Sequence, residues 1–202
     1  MTGNASSDGG YGRRVLVLLA VVLAAVWGVA VLFHPSSYTG TSNARWLGIH
    51  YLQLFIAPFV AIGVLHVLDG ISGAWALVAR ISIVAWAAWF SAFDAVAGIA
   101  TGILSGEGEM TAADALFDSG AVGGTMSLLG VLGQGMWLIV ALAAGLALRR
   151  SGAKTITYVA MFVSALIFFH LGPAAAGYLA LAVALWTALP ATQGAPVPRT
   201  TT

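Results

Sequence analysis

The residue with the greatest chemical consequence in this chain is Asp94, a carboxylate set inside the apolar run 81–104. An ionised acid near the centre of a membrane helix costs at least about 2.5 kcal/mol, so such side chains face the bundle interior and mark function by default. At helical steps of three, four and seven, Ser91, Gly98 and Thr101 share its face, a polar or small stripe that suits a proton carrier or a general acid. The competing role is structural, a hydrogen bond from Asp94 that holds a neighbouring helix in place.

His50 and Gln53 stand three residues apart in another apolar run and therefore share a helix face. Gln134 reaches a depth similar to that of Asp94 from a further helix, while His34 and His170 fall at helix ends. Asp94, His50, Gln53, His170, Ser91 and Gln134 are thus the candidate substrate or proton site, and His50, Gln53, Asp94 and His170 are expected to line one cavity. Imidazole and carboxylate also suit zinc, iron or copper, which makes a metal site from His34, His50, His170 and Asp94 chemically sensible. A haem or transition metal would have to bridge His50 and His170. His66 lies about 24 Å further along the helix and about 160° round it, too far to share a metal with His50. No cofactor is predicted, and the sequence names no catalytic residue.

Several chemistries are missing from the sequence. There is no cysteine, which removes thiolate catalysis, disulfides and iron–sulfur clusters. No nucleotide-binding glycine fingerprint, metalloprotease histidine pair or nucleophile elbow is present. Lys154, the only lysine, sits at a helix end, which disfavours a retinal Schiff base. Gly98 and Gly102 form a small-xxx-small motif, whose reading is close helix packing rather than activity.

The elements that must position these groups follow from composition. Hydrophobic residues make up 60% and charged residues 7% of the 202 residues, too little charge to clothe a water-soluble surface. The apolar residues are gathered into runs of membrane-spanning length. The expected fold is an all-α polytopic bundle over 13–189 with six spans, at 15–33, 46–68, 81–104, 125–148, 155–171 and 174–189. A secretory signal is the rival for the first, although its apolar core is longer than the 7–15 residues or so usual for such signals. The last two spans come from an apolar stretch of about 35 residues, too long for one crossing. Gly172-Pro173 is the natural break, and five helices with a bent last one is the alternative.

Residues 1–12 and 190–202 read as disordered, and Pro58 as a kink that frees a carbonyl. Arg80 is expected to snorkel to the headgroups. In the acidic loop 105–124, Thr111 and Asp114 have capping-box spacing for a short surface helix ending near Gly120.

All bases except Arg45 fall on one side of this topology, which places both termini in the cytoplasm and the acidic loop outside, in a cell membrane. The lipid bilayer is the expected partner, together with a second copy or a larger membrane complex, and nothing points to nucleic acid. Three functions fit. One is a small-molecule, ion or proton-coupled binding or permeation protein working at Asp94. The others are a non-catalytic accessory or structural subunit, and a membrane-embedded enzyme acting on a lipid or isoprenoid.

Overall fold

A computed structural model describes residues 8–123, 126–169 and 172–189. Of the expected disordered segments, residues 1–7 of the lead 1–12 and the whole of 190–202 lie outside the described residues, as do Gly124, Thr125, His170 and Leu171. Every element among the described residues is helical.

Helix α1 (Asp8–Ala30) continues as a 3-10 turn (Val31–Phe33) and stops at His34-Pro35, where proline cannot donate to a further turn. It starts inside the stretch expected to be unstructured, because a nucleated helix gains one hydrogen bond for each residue added. The N-terminus of α2 (Asn43–Val67) is capped by Ser42, whose hydroxyl accepts from the Arg45 amide. Helix α2 runs unbroken past Pro58, which is exposed on the outside of the bundle, so the freed carbonyl expected there does not open a break.

The irregular backbone lies instead in the next rod. Helix α3 (Ala74–Phe93), a π-helical segment (Asp94–Ala100) and α4 (Thr101–Gly106) form one continuous rod, Ala74–Gly106. The turn before it needs left-handed backbone at Gly70 (φ +77°) and Gly73 (φ +105°), which only glycine adopts without strain. The Arg80 guanidinium donates to the carbonyls of Leu68, at the end of α2, and Ile71, in the following loop.

Helix α5 (Met110–Phe117) begins after Glu109 with no side-chain cap, so Thr111 is inside the helix rather than capping it. The Asp114 carboxylate is drawn away by the Tyr38 hydroxyl, which donates to it. Helix α6 (Leu128–Arg150) is capped by Ser127, which accepts from the Gly130 amide.

Helix α7 (Thr155–Val163), extended by a 3-10 segment (Ser164–Phe169), packs against α8 (Gly172–Ala188). The Thr157 hydroxyl donates to that of Thr187 at 3.0 Å, which joins the start of one to the end of the other. The chain therefore reverses between them, as a single bent helix does not.

Four helices are long and apolar enough to cross a membrane: Gly12–Phe33, Asn43–Val67, Ala74–Gly106 and Leu128–Arg150. The outward face is apolar too, with Val22, Val29, Leu32, Leu77, Ile81 and Val84 more than half exposed. Inside, small residues allow close approach. A Cβ added at Gly63 of α2 would strike Ala20 of α1. The chain path gathers Arg13, Arg80, Arg149, Arg150 and Lys154 at one end and the acids of the 105–124 loop at the other.

Candidate functional site

Asp94 opens the π-helical segment. Hydrogen bonds there reach back five residues instead of four, which rotates the following side chains relative to an α-helix. At the end of the segment, the Thr101 amide donates to Val96, and the Thr101 hydroxyl bonds the same carbonyl at 3.4 Å. The carbonyl of Gly98 is taken up across the helix interface by the Trp46 indole N–H at 2.7 Å. Gly98 is required for this approach, because a Cβ there would land on the His50 ring. One at Gly102 would meet Leu47 and Trp46. The small-residue motif thus faces α2.

That approach brings His50 to Asp94. The His50 Nδ1 and Asp94 Oδ1 lie 2.6 Å apart, with the two residues 4% and 0% exposed. The His50 Nε2 and the second carboxylate oxygen have no hydrogen-bond partner among the described residues. Each buried polar atom left unpaired costs about 1–3 kcal/mol, so both atoms call for a further partner such as a water or a ligand.

Above the pair a cleft of about 460 Å³ opens at the acidic end. His50, Trp46, Phe93 and Ala97 line its inner wall, and His34, Phe117, Asp118 and Ser119 its mouth. The His34 ring meets His50 edge-on at 5.1 Å, and Trp46 lies 4.4 Å from His50. Burial, and then the neighbouring His50, lower the His34 pKa to about 4, which keeps this ring neutral at physiological pH. The bond between Tyr38 and Asp114 ties the loop after His34 to α5, and Phe117 packs edge-on against Tyr38 and Trp46. Burial, and then the bond to Asp114, push the Tyr38 hydroxyl up to about 12.

The other candidates do not join this site. Gln53, 2% exposed, lines a separate void of about 10 Å³ with Trp27, Val31, Phe90, Ile167 and Tyr178, room for one water. Gln134 is buried on α6 with its amide nitrogen unpaired, and Ser91 is half-buried; neither bonds the pair. His170, and with it the pairing of His50 and His170 on a metal or haem, lies outside the described residues. Among the described residues no three His, Asp or Glu side chains converge on a metal position. His34, grouped with His50 and Asp94 from the sequence, does stand beside His50, whereas Trp46 and Ala97 were not expected at this site. The signal for Trp46 was that it flanks the same short loop as His34.

No family model, curated protein or solved structure matches this chain.

Proposed function

We propose that this chain is a multi-pass protein of the cell membrane that binds a small molecule or ion with proton coupling at the His50–Asp94 pair. In this reading the bundle 13–189 makes six crossings. The first four are the long helices, and the hairpin of α7 and α8 supplies two short ones. At about 1.5 Å per α residue and 2.0 Å per 3-10 residue, each arm of the hairpin measures about 25 Å, near the thickness of the hydrocarbon core. Both termini are cytoplasmic, because every base but Arg45 is then on the inner side. The cleft faces outward.

The observation that carries the reading is a buried carboxylate whose single hydrogen-bond partner among the described residues is an imidazole, with one atom of each unpaired among them. A proton can pass between such groups, and a ligand entering the cleft can complete the free imidazole nitrogen. The test is native mass spectrometry and elemental analysis of purified wild type and Asp94→Asn. The expected result is a small molecule or ion retained by wild type and released by the variant, with retention dependent on pH. If neither form carries or responds to a ligand, the accessory-subunit reading takes its place.

A second reading rests on the same pair. An imidazole oriented by a carboxylate is also the arrangement of a general base, as in an enzyme acting on a lipid or isoprenoid. Turnover of such a substrate that is lost in His50→Gln would favour it.

A further inference from the structure

The opposite, basic end of the bundle holds a second cavity, of about 820 Å³, unconnected with the His50–Asp94 pair. It lies between Arg13 of α1, the α2–α3 loop, the first turn of α3 and the end of α6. Arg13 is fixed in place: it pairs with Asp69 at 3.0 Å and donates to the His66 carbonyl at 2.6 Å. Its Nε is nevertheless buried without a partner among the described residues. Arg150 reaches the cavity from α6, its guanidinium 5.7 Å from the centre of the Trp75 ring.

The wall therefore carries two guanidinium groups against one carboxylate, and Asp69 is itself largely exposed. Arg80, held on the Leu68 and Ile71 carbonyls, adds a positive charge close to the same loop. Trp75 is partly exposed at the cavity, as suits an aromatic ring at headgroup level. The first turn of α3 has no side-chain cap at Gly73, so its amides add to the positive field. Val67, Leu148 and Ala188 give the cavity an apolar side. One guanidinium fixed at Arg13 and a second, exposed one at Arg150 over Trp75, beside an apolar wall, match a phosphate attached to a lipid.

We propose that this cavity binds a phosphate anion, with Arg13 and Arg150 as its ligands, and that the phosphate belongs to the headgroup of an anionic phospholipid. The test measures binding to the full-length protein in detergent. The probes are phosphatidylglycerol, phosphatidylcholine and sodium phosphate, and the proteins are wild type, Arg150→Gln and Arg149→Gln. Arg149 is exposed and outside the cavity, so its variant removes the same charge without touching the site.

We expect phosphatidylglycerol to bind more tightly than phosphatidylcholine and to weaken about fivefold in Arg150→Gln, the effect of one basic residue at a membrane surface. In Arg149→Gln it should stay within about twofold of wild type. Sodium phosphate that fails to displace the lipid supports the lipid source. Displacement that depends on Arg150 supports the same site but assigns it to a soluble phosphate compound. Equal weakening by the two arginine variants, or equal binding of the two lipids, would overturn the proposal. Arg150→Lys keeps the charge without the planar fork, and its retention of fold and partial binding separates loss of the site from loss of structure.

Discussion

The two ends of the bundle hold charge in different ways. At the basic end the guanidinium groups of Arg13 and Arg80 are only part-buried and spend their donors on carbonyls at the end of α2 and in the following loop. Arg45 does the same at the acidic end, donating to the carbonyl of Phe33. These charges remain close to water and finish helix ends, which costs little. Asp94 and His50 are withdrawn beneath a cleft, hydrogen-bond only each other among the described residues, and Asp94 stands where the helix changes its hydrogen-bond pattern. Charge kept near solvent orients and anchors a membrane protein, whereas charge buried with unpaired atoms is the costly kind that persists where it is used.

Substitutions at the two ends should therefore differ in size. The largest effect is expected for Asp94→Leu, which strands the His50 Nδ1 in the interior and should destabilise by about 3 kcal/mol in reversible unfolding from detergent. Asp94→Asn, which retains a hydrogen-bonding group, should lose under half of that. If leucine is tolerated as well as asparagine, the buried pair does no more than a surface charge. Gly98→Ala comes next, at about 2 kcal/mol, because the added methyl must push the His50 ring away from Asp94. Tyr38→Phe removes one hydrogen bond at the mouth of the cleft and should cost about 1 kcal/mol.

Two pH dependences sharpen the same contrast. His34 has a folded pKa near 4, below its ordinary 6.5, so the unfolded chain binds more protons in that window. Its contribution is complete above pH 6.5 and is lost as pH falls towards 4, and His34→Gln should remove that part of the acid sensitivity. Tyr38 has a folded pKa of about 12, above its ordinary 10, so its contribution is complete below pH 10 and is lost as pH rises towards 12. Tyr38→Phe should flatten the alkaline limb. The smallest effect is expected for Arg149→Gln at the basic end, within about 0.5 kcal/mol.

Much of the helical framework was legible because it follows from the length of apolar runs. The burial of Asp94 was legible from the cost of leaving a carboxylate in lipid. His50 was legible as a neighbour of Asp94 in one cavity, but the direct bond between them was not, since the two are 44 residues apart and only packing decides the rotation of α2. The π-helical segment was hidden for a related reason, because no residue type encodes it and it emerges from the fit of α2 against the rod. Pro58 misled in the opposite sense: the residue that most often breaks a helix sits on the outer face of an unbroken one. Spacing alone suggested a cap at Thr111, but Asp114 had a better partner in Tyr38, 76 residues away. Gln53 shares a helix face with His50 but meets a different set of neighbours one turn further along.

Thiol labelling, for which a chain without cysteine is well suited, reads whether the cleft open at the acidic end reaches the buried pair. Single cysteines would be placed at Ser119 in the mouth of the cleft, at Ala97 on its inner wall and at Ser82, which is buried away from it. A small membrane-impermeant reagent is then applied to intact cells. We expect rapid labelling of Ser119→Cys, slower but complete labelling of Ala97→Cys, and none of Ser82→Cys. Protection of Ala97→Cys while Ser119→Cys reacts would show that the cleft does not reach the pair, and labelling of both only after lysis would reverse the orientation.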